Sequence, residues 1–524
     1  MYTLNKLFYM LENDSSFRDW IKSSPGEAMS NGGTVPDKAD GMGCFALGNG
    51  EIALVRNHEL VPGDGAGGPI ARGFGTRNGE IVPGGTTNIV LDANTLEVKR
   101  QFRTLGGTIR NCSGGVTPWN TWLTCEESPT GPGQRYGEGL AQNHGWVFEV
   151  PANASGLVDP VPLTAMGRFN HEAACVDPET GMVYMTEDRD DGVLYRFIPK
   201  ERGKLRAGGQ LQAMAIDGLA DTRNWDAPVM PVQKPYEARW IDLDEVEAPL
   251  DDLRIRAVAK GAALVARGEG IHMGTDALFV CSTNGGQRKL GQIFRLVPGR
   301  GTAADTIELF FESESEDQFN YGDNLAVGPN GHLIVCEDQY TEVVDNHLRG
   351  ITPDGRAYAF GRLRLQTELA GGCFSPDGKW FFVNAYSPTR TLAVGTVLDY
   401  GNWRCTVEVG EEFFHVCRGR MGDRVRFYGN LVPFGRIPPG YGSGMDAVSC
   451  DPHAKHFRRT KIDTIGLAMV DRDALRGLWP LAVGNEASFE REFVSDEGEE
   501  NKAGSTIRVS DTRTISLLGE ERRI

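Results

Sequence analysis

None of the ten cysteines forms a Cys-x-x-Cys pair, and the chain carries no Gly-x-Ser-x-Gly elbow, no Walker loop and no His-Glu-x-x-His segment. These absences remove thioredoxin-like redox chemistry, the serine-hydrolase elbow, the P-loop nucleotide site and the zincin metalloprotease from consideration. No run approaches the ~20 apolar residues that a membrane-spanning helix requires. Positive charge is scarce: Lys plus Arg is 54 against 71 Asp plus Glu, a net charge of -17, and no basic run occurs. Nucleic acid and anionic membranes are therefore not expected partners, while the acid surplus suits solubility or cation binding. The segment from Met1 to Glu12 holds one lysine and no paired arginines, so neither a Sec nor a twin-arginine signal is visible in it. Periodicity of long helices is also sparse. With 67 Gly and 27 Pro, tight turns dominate and an all-β chain of short strands is expected.

What the chain does have is a repeated hairpin. His171-Glu172-Ala173-Ala174-Cys175-Val176 is followed by the turn Asp177-Pro178-Glu179-Thr180-Gly181 and by Met182 to Thr186, which ends in Glu187-Asp188. Two antiparallel strands joined by such a turn bring the first residue of one and the last of the other to the same sheet edge. Glu172 is thus expected beside Glu187 and Asp188. The same arrangement pairs Cys112 with Glu126-Glu127, Glu269 with Asn284, Asp323-Asn324 with Glu337-Asp338, and Cys373 with Asn384. Several hairpins would then aim oxygen ligands at one rim, where carboxylate repulsion calls for bound cations.

Such units number about six, near 41–60, 84–127, 167–199, 267–298, 323–360 and 371–395, and Gly291 to Pro298 closely matches Gly192 to Pro199. Radial repetition of small antiparallel sheets is a β-propeller, with a two-sheet sandwich as the rival. The expected organisation is a lead segment over 1–40, with a helix from Thr3 to Trp20, and a propeller over 41–396. An insertion at 200–262 would form a loop or helical cap, and 397–524 is left unassigned.

The candidate ligands differ in character. Alternation along Thr121 to Glu127 puts Cys125 and Glu127 on one face and Glu126 on the other, so one of the two acids turns toward the rim. Cys112 lies in a Gly-flanked turn, where it is either a soft ligand for a transition metal or an inert thiol. Cys175, Cys281 and Cys336 lie in apolar runs and read as buried free thiols. Arg267 beside Gly268-Glu269 joins a planar guanidinium fork, suited to phosphate oxygens, to a metal ligand; an ion pair on the rim is the other reading. The pairs Asp323-Asn324 and Glu337-Asp338 suit calcium.

Taken together, Leu54 to Glu59, Asn111-Cys112 with Thr121 to Glu127, Gly167 to Glu172, Tyr184 to Asp188, and Phe374 to Gly378 resemble the PhoX family of bacterial alkaline phosphatases over about residues 40–395. The resemblance implies a propeller that holds ferric iron (Fe3+) and calcium (Ca2+) and hydrolyses phosphomonoesters. Cys112 would be the iron-binding thiolate, Glu127, Glu172 and Glu269 would bind iron or calcium, and Arg267 would hold the phosphate. Arg267 and Glu172 carry the catalytic assignment, with Glu59, Glu187, Asp188, Asn324 and Glu337 as further members of the metal site or its support. Cations can neutralise the phosphate and present a metal-bound oxygen as nucleophile. The expected substrate is a small-molecule phosphate ester and the expected state a monomer. Periplasmic or secreted location follows from the family, and cytoplasmic location is the alternative. The competing functions are a calcium-dependent propeller lactonase or esterase and a non-catalytic, metal-stabilised binding propeller.

Overall fold

The computed structural model describes residues 21–339, 345–362 and 366–395; beyond these it gives strand positions alone. The helix expected over Thr3 to Trp20 lies outside the described residues. Two compact units are distinguished, Phe8–Thr396 and one that takes in Val397–Ile524. In the second, Asn402–Val409 runs antiparallel to Glu412–Arg420, and Glu486–Val494 antiparallel to Glu500–Val509.

Within the larger unit, short apolar runs separated by Gly, Pro and Asp turns fold into successive antiparallel sheets. The first sheet is Ala39–Gly48, Glu51–His58, Gly84–Asp92 and Val98–Thr108. The second is Asn111–Val116, Thr121–Glu126 and Val147–Pro151. The third is His171–Val176, Val183–Glu187, Tyr195–Pro199 and Gly209–Ile216, and the fourth is Gly268–Met273, Leu278–Ser282, Gln292–Val297 and Asp305–Glu312. The strand Pro235–Asp242 pairs with the outer edges of both and joins them. The fifth sheet is Gly322–Val327, Leu333–Glu337, His347–Ile351 and Ala357–Arg362. The sixth, Leu369–Phe374, Trp380–Ala385 and Arg390–Gly395, takes its outermost strand, Ile21–Ser23, from near the start of the chain. That borrowed strand ties the two ends of the series together.

The first strands of these sheets stand side by side in a closed ring, each touching the first strands of its two neighbours, which is the arrangement of a β-propeller. The core lies between the faces of adjacent sheets. Phe45 and Val55 meet Trp122 and Phe148, Leu123 and Val147 meet Met185 and Phe197, and Tyr184 and Met214 meet Val280 and Phe294. Ile293 and Phe311 meet Val335 and Ile351, and Phe382 closes the circuit against Leu54 and Ile89. Such close-packed faces fix each sheet's angle to the next. Glycine permits close approach within the ring: a Cβ at Gly270 would stand 2.5 Å from the amide nitrogen of Leu325 on the neighbouring strand.

The 200–262 segment contributes more strand than cap. Gly209–Ile216 completes the third sheet, Pro235–Asp242 bridges to the fourth, and the α-helix Leu253–Ala259 is two turns long. Arg254 anchors that helix by reaching Asp191 at 2.9 Å and Asp251 at 3.3 Å. The described cysteines are all free, with Cys175, Cys281 and Cys336 buried. No helix among the described residues is long and apolar enough to cross a membrane.

Candidate metal centre

One local pattern is repeated in all six sheets. The first strand opens opposite the end of the second: Ala39 faces His58, Asn111 faces Glu126, His171 faces Glu187, Gly268 faces Ser282, Gly322 faces Glu337 and Leu369 faces Ala385. Within the next few residues of each first strand the register slips before regular pairing resumes. A bulge of this kind re-aims the side chain that it carries. The residue there is Asp40, Cys112, Glu172, Glu269 or Asp323 in the first five sheets; in the sixth its counterpart Ala370 pairs with Asn384 and the slip falls at Gly371-Gly372. Five of the six can bind a cation.

A second set follows the end of each second strand: Glu59, Glu127, Asp188, Thr283, Asp338 and Tyr386. Each donates its backbone N–H to the carbonyl of the residue before the first strand, at 2.8 to 3.3 Å. Those carbonyls belong to Lys38, Arg110, Asn170, Arg267, Tyr321 and Glu368. Lys38, Arg110, Arg267 and Tyr321 hold φ values between 38° and 54°. A left-handed backbone at four non-glycine residues costs energy, and such strain concentrates where side chains must be aimed.

Both sets of residues, except Ala370, line one cavity of about 550 Å³ at the end of the ring, together with Arg110, Arg267 and Glu368. Two groups of ligand atoms converge within it. Atoms of Glu59, Cys112 and Glu127 lie within 4.8 Å of one another, and so do those of Glu172, Glu269 and Asp323. The Cys112 thiol also faces Asp40 Oδ2 at 3.6 Å. Both carboxylate oxygens of Glu172 and Oδ1 of Asp40 are buried with no hydrogen-bond partner among the described residues. An ionised carboxylate cannot be left in that state without a compensating charge.

The electrostatics carry the same message. Burial, and then the Glu59 and Asp323 charges, push Asp40 well above the usual carboxylate range. Burial with Glu127 and Asp323 does the same to Glu172, and burial with Asp188 and Glu172 to Glu269. Burial raises Glu127 to about 8 against the lowering effect of Arg110, and raises Asp323 to about 7 with help from Asp338. Burial, followed by Asp40, Glu172, Glu127 and Glu59, drives the Cys112 thiol up. A bound cation reverses all these shifts by taking the place of the proton. The donor set fits metal: hard oxygens suit calcium or ferric iron, and the one sulfur suits a transition metal.

Two guanidiniums stand among these acids. Arg267 is paired with Asp188 through Nε at 2.7 Å and with Glu269 at 3.2 Å. Arg110, at the corresponding position of the second sheet, reaches Glu59 Oε1 and Glu127 Oε2, each at 2.8 Å.

Of the residues singled out in the sequence, Cys112, Glu127, Glu59, Glu172, Glu269, Asp188 and Arg267 all reach the cavity. Glu187, Glu337 and Asn324 do not line it. Glu187 turns into the fold, where Tyr195 Oη donates to it at 2.9 Å and Arg254 approaches at 3.7 Å. Glu337 accepts from Arg349 Nε at 2.6 Å and from the Asn320 backbone N–H at 2.9 Å. Glu126 is equivalent, held by His144 Nδ1 at 2.6 Å and by the N–H groups of Ile109 and Gly145. All three end their strands opposite the opening residue of the first strand, so side-chain alternation sends them inward and sends the next residue to the cavity. Asn324 instead supports a carboxylate of the cavity: its Nδ2 donates to Asp323 Oδ1 at 2.9 Å and its Oδ1 accepts the Gly371 N–H at 2.6 Å.

Two expected pairings shift. Thr283, not Asn284, reaches the cavity. Cys373 pairs with Phe382 deeper in the sixth sheet, whose cavity residues are Glu368 and Tyr386. Sequence reasoning also missed Asp40, because it began the first unit at Gly41, and passed over Arg110 in front of Asn111-Cys112.

A family model described as alkaline phosphatase PhoX matches residues 84–389. No curated protein matches the chain. Among solved structures, Pseudomonas fluorescens PhoX in complex with vanadate, a transition state analogue, superposes with a TM-score of 0.55 at 19% identity, covering 71% of this chain and 93% of that one. A gluconolactonase from Xanthomonas campestris is more distant, with a TM-score of 0.35 at 12% identity over 71% of this chain and 96% of its own. The periplasmic gluconolactonase of Pseudomonas aeruginosa gives 0.34 at 13% identity over 72% and 96%. With more than half of its length matched by that model, and with a propeller whose ring of strands converges on one acid-rich cavity, the chain belongs to the PhoX family of alkaline phosphatases.

Proposed function

We propose that this protein hydrolyses phosphomonoesters of small molecules at a centre that holds calcium and ferric iron. The observation that carries the reading is Glu172, a buried carboxylate with both oxygens unpartnered, set among Cys112, Glu127, Glu269 and Asp323. Nine carboxyl groups line the cavity against two guanidiniums, an excess of seven negative charges when all are ionised, so more than one cation is required before a phosphate dianion can enter. Glu59, Cys112 and Glu127 would hold one ion, with the thiolate favouring iron; Glu172, Glu269 and Asp323 would hold another, with an all-oxygen set suited to calcium. Ions bound there supply Lewis-acid stabilisation of the charge that develops on the phosphoryl oxygens.

The chain's own groups do the rest. Glu172 would hold an ion together with Glu269 and Asp323. Arg267, held on the wall by Asp188 and Glu269 through Nε and Nη2, is the guanidinium that would turn to the phosphate oxygens once cations take over those carboxylates. Cys112 is a poor protein nucleophile, since burial and four neighbouring acids keep its thiol protonated in the absence of metal.

Purified protein assayed with p-nitrophenyl phosphate at alkaline pH, with calcium supplied and then chelated, tests the reading. Turnover that appears with calcium and is lost on chelation supports it. A folded, metal-loaded sample without turnover would sink it and favour a binding propeller whose ions are structural.

A further inference from the structure

Tyr386 stands where the other five sheets carry Glu59, Glu127, Asp188, Thr283 or Asp338. Its backbone is pinned on both sides: the N–H donates to Glu368 O at 3.2 Å, and the carbonyl accepts from the Ala39 N–H at 3.2 Å and from Thr389 Oγ1 at 3.0 Å. The side chain reaches to the neighbouring first sheet, where its hydroxyl donates to Glu59 Oε2 at 2.6 Å. That is the distance of a charge-assisted O–H···O bond. The opposite oxygen of the same carboxylate, Oε1, accepts from Arg110 Nε at 2.9 Å, and Arg110 also grips Glu127.

Glu59 needs such help. It follows the last residue of its strand, and a Glu side chain that samples several rotamers must give them up to hold an ion. We propose that Tyr386 is a positioning residue of the metal centre: together with Arg110 it clamps Glu59 from two sides and presents that carboxylate to the ion shared with Cys112 and Glu127. The inference rests on reading Glu59, Cys112 and Glu127 as a cation site. A phenol suits the task because it donates a hydrogen bond without adding charge. Another carboxylate at this position would repel Glu59, and phenylalanine would leave Oε2 without its donor.

The test uses cobalt(II) as a probe, read by the thiolate-to-metal absorption band of Cys112 and by competition with a chromophoric chelator. Tyr386→Phe keeps the ring and removes one hydroxyl. It is expected to weaken the ion of the Cys112 cluster by roughly 10- to 100-fold and to shift the band. Affinity at Glu172, Glu269 and Asp323 should stay within about threefold of wild type. In a Glu59→Gln background the tyrosine change should add little, because the group it positions is altered already. Wild-type affinity with an unmoved band in Tyr386→Phe overturns the proposal, as does a loss that is undiminished in the Glu59→Gln background. If Tyr386→Phe does not fold, Glu59→Gln alone carries the test, and wild-type affinity there refutes the clamp. A wild-type protein that shows no thiolate band with cobalt overturns the cation reading on which the clamp depends, a failure separate from the one in which the band is present and indifferent to Tyr386.

Discussion

Stripped of metal, the protein should lose stability as pH rises through neutrality, the reverse of what its carboxylates would do at the surface. Glu127 is raised to about 8 and Asp323 to about 7, chiefly by burial. Their values in an unfolded chain are about 4.3 and 3.9. Between the unfolded and folded values the folded state binds more protons than the unfolded state, so the free energy of unfolding falls with increasing pH. The stabilisation is fully present below about pH 4 and is lost as pH climbs through 7 and 8. Each group contributes a slope of about 1.4 kcal/mol per pH unit, so the pair removes about 5 kcal/mol between pH 5 and pH 7. With an unfolding entropy of roughly 2 cal/mol/K per residue, a unit of this size loses about 6 °C in Tm over that interval. Asp40, Glu172, Glu269 and Glu368 are displaced in the same direction and add to the effect. Differential scanning fluorimetry of the chelated protein at pH 5, 6, 7 and 8 reads the trend, with a calcium- and iron-loaded sample beside it. In the loaded sample cations stand in for protons, binding strengthens as protons leave, and Tm should hold or rise with pH. A chelated protein whose Tm is flat or climbs from pH 5 to 7 would refute the reasoning, because the acids would then be ionised and satisfied without metal.

Other expectations follow from single contacts. Glu172→Gln should fold with an unchanged or higher Tm in chelator and lose roughly 100-fold or more in kcat/KM, measured with p-nitrophenyl phosphate; lost folding with retained specific activity would make Glu172 structural. Arg267→Lys keeps the charge but not the fork and should cost roughly 10- to 100-fold in kcat/KM, in line with the 1.5–3 kcal/mol of a charge-assisted bond; an unchanged value would remove Arg267 from the phosphate site. Glu337→Gln breaks a buried pair with Arg349 that stands at 2.6 Å, and should cost about 3–5 kcal/mol in urea unfolding with metal content per folded molecule unchanged. Gly270→Ala drives a Cβ to 2.5 Å from the Leu325 nitrogen and 2.8 Å from the Asp323 carbonyl, so about 1–3 kcal/mol of stability should be lost along with metal affinity, by urea unfolding and chelator competition.

Much of this was legible in the hairpins. Strand, Pro/Gly turn and strand, repeated with acids at corresponding ends, brought out the sheets, the common rim and the attraction of that rim for cations, because two-residue alternation and tight turns act within a dozen residues. The limit was a precision of one residue. His171 pairs with Glu187, and the bulge that follows turns Glu172 to the cavity while the strand end turns Glu187 away. Both acids look alike in sequence, and only the register separates ligand from support. The same slip separates Asp323 from Asn324, Asp338 from Glu337 and Thr283 from Ser282 and Asn284. Arg110, Glu368 and Tyr386 were illegible for another reason. Tyr386 touches Glu59 across 327 positions of sequence, Arg110 reaches Glu59 from the next sheet, and the acids foremost around Glu368, Asp338 and Asp40, belong to other sheets; such contacts exist only once neighbouring sheets have packed.

The ring explains how so costly a cavity persists. Nine carboxyl groups in one cavity would unfold a domain whose core lay at its centre, but here the apolar mass lies between neighbouring sheets, away from the acids. Asp40, Cys112, Glu172, Glu269 and Asp323 hang from the same kind of bulge, and behind each second strand a backbone hydrogen bond to the residue before the first strand fixes where the next side chain begins. The positions are therefore rigid while their chemistry is open: a thiol at Cys112, a hydroxyl at Thr283, a phenol at Tyr386 and no ligand at Ala370 occupy sites that are otherwise acidic. A scaffold of this kind lets each ion be tuned by one substitution without disturbing the next. By the same logic, the left-handed backbone at Arg110 and Arg267, with φ of 47° and 38°, falls at the two residues whose guanidiniums meet the cavity.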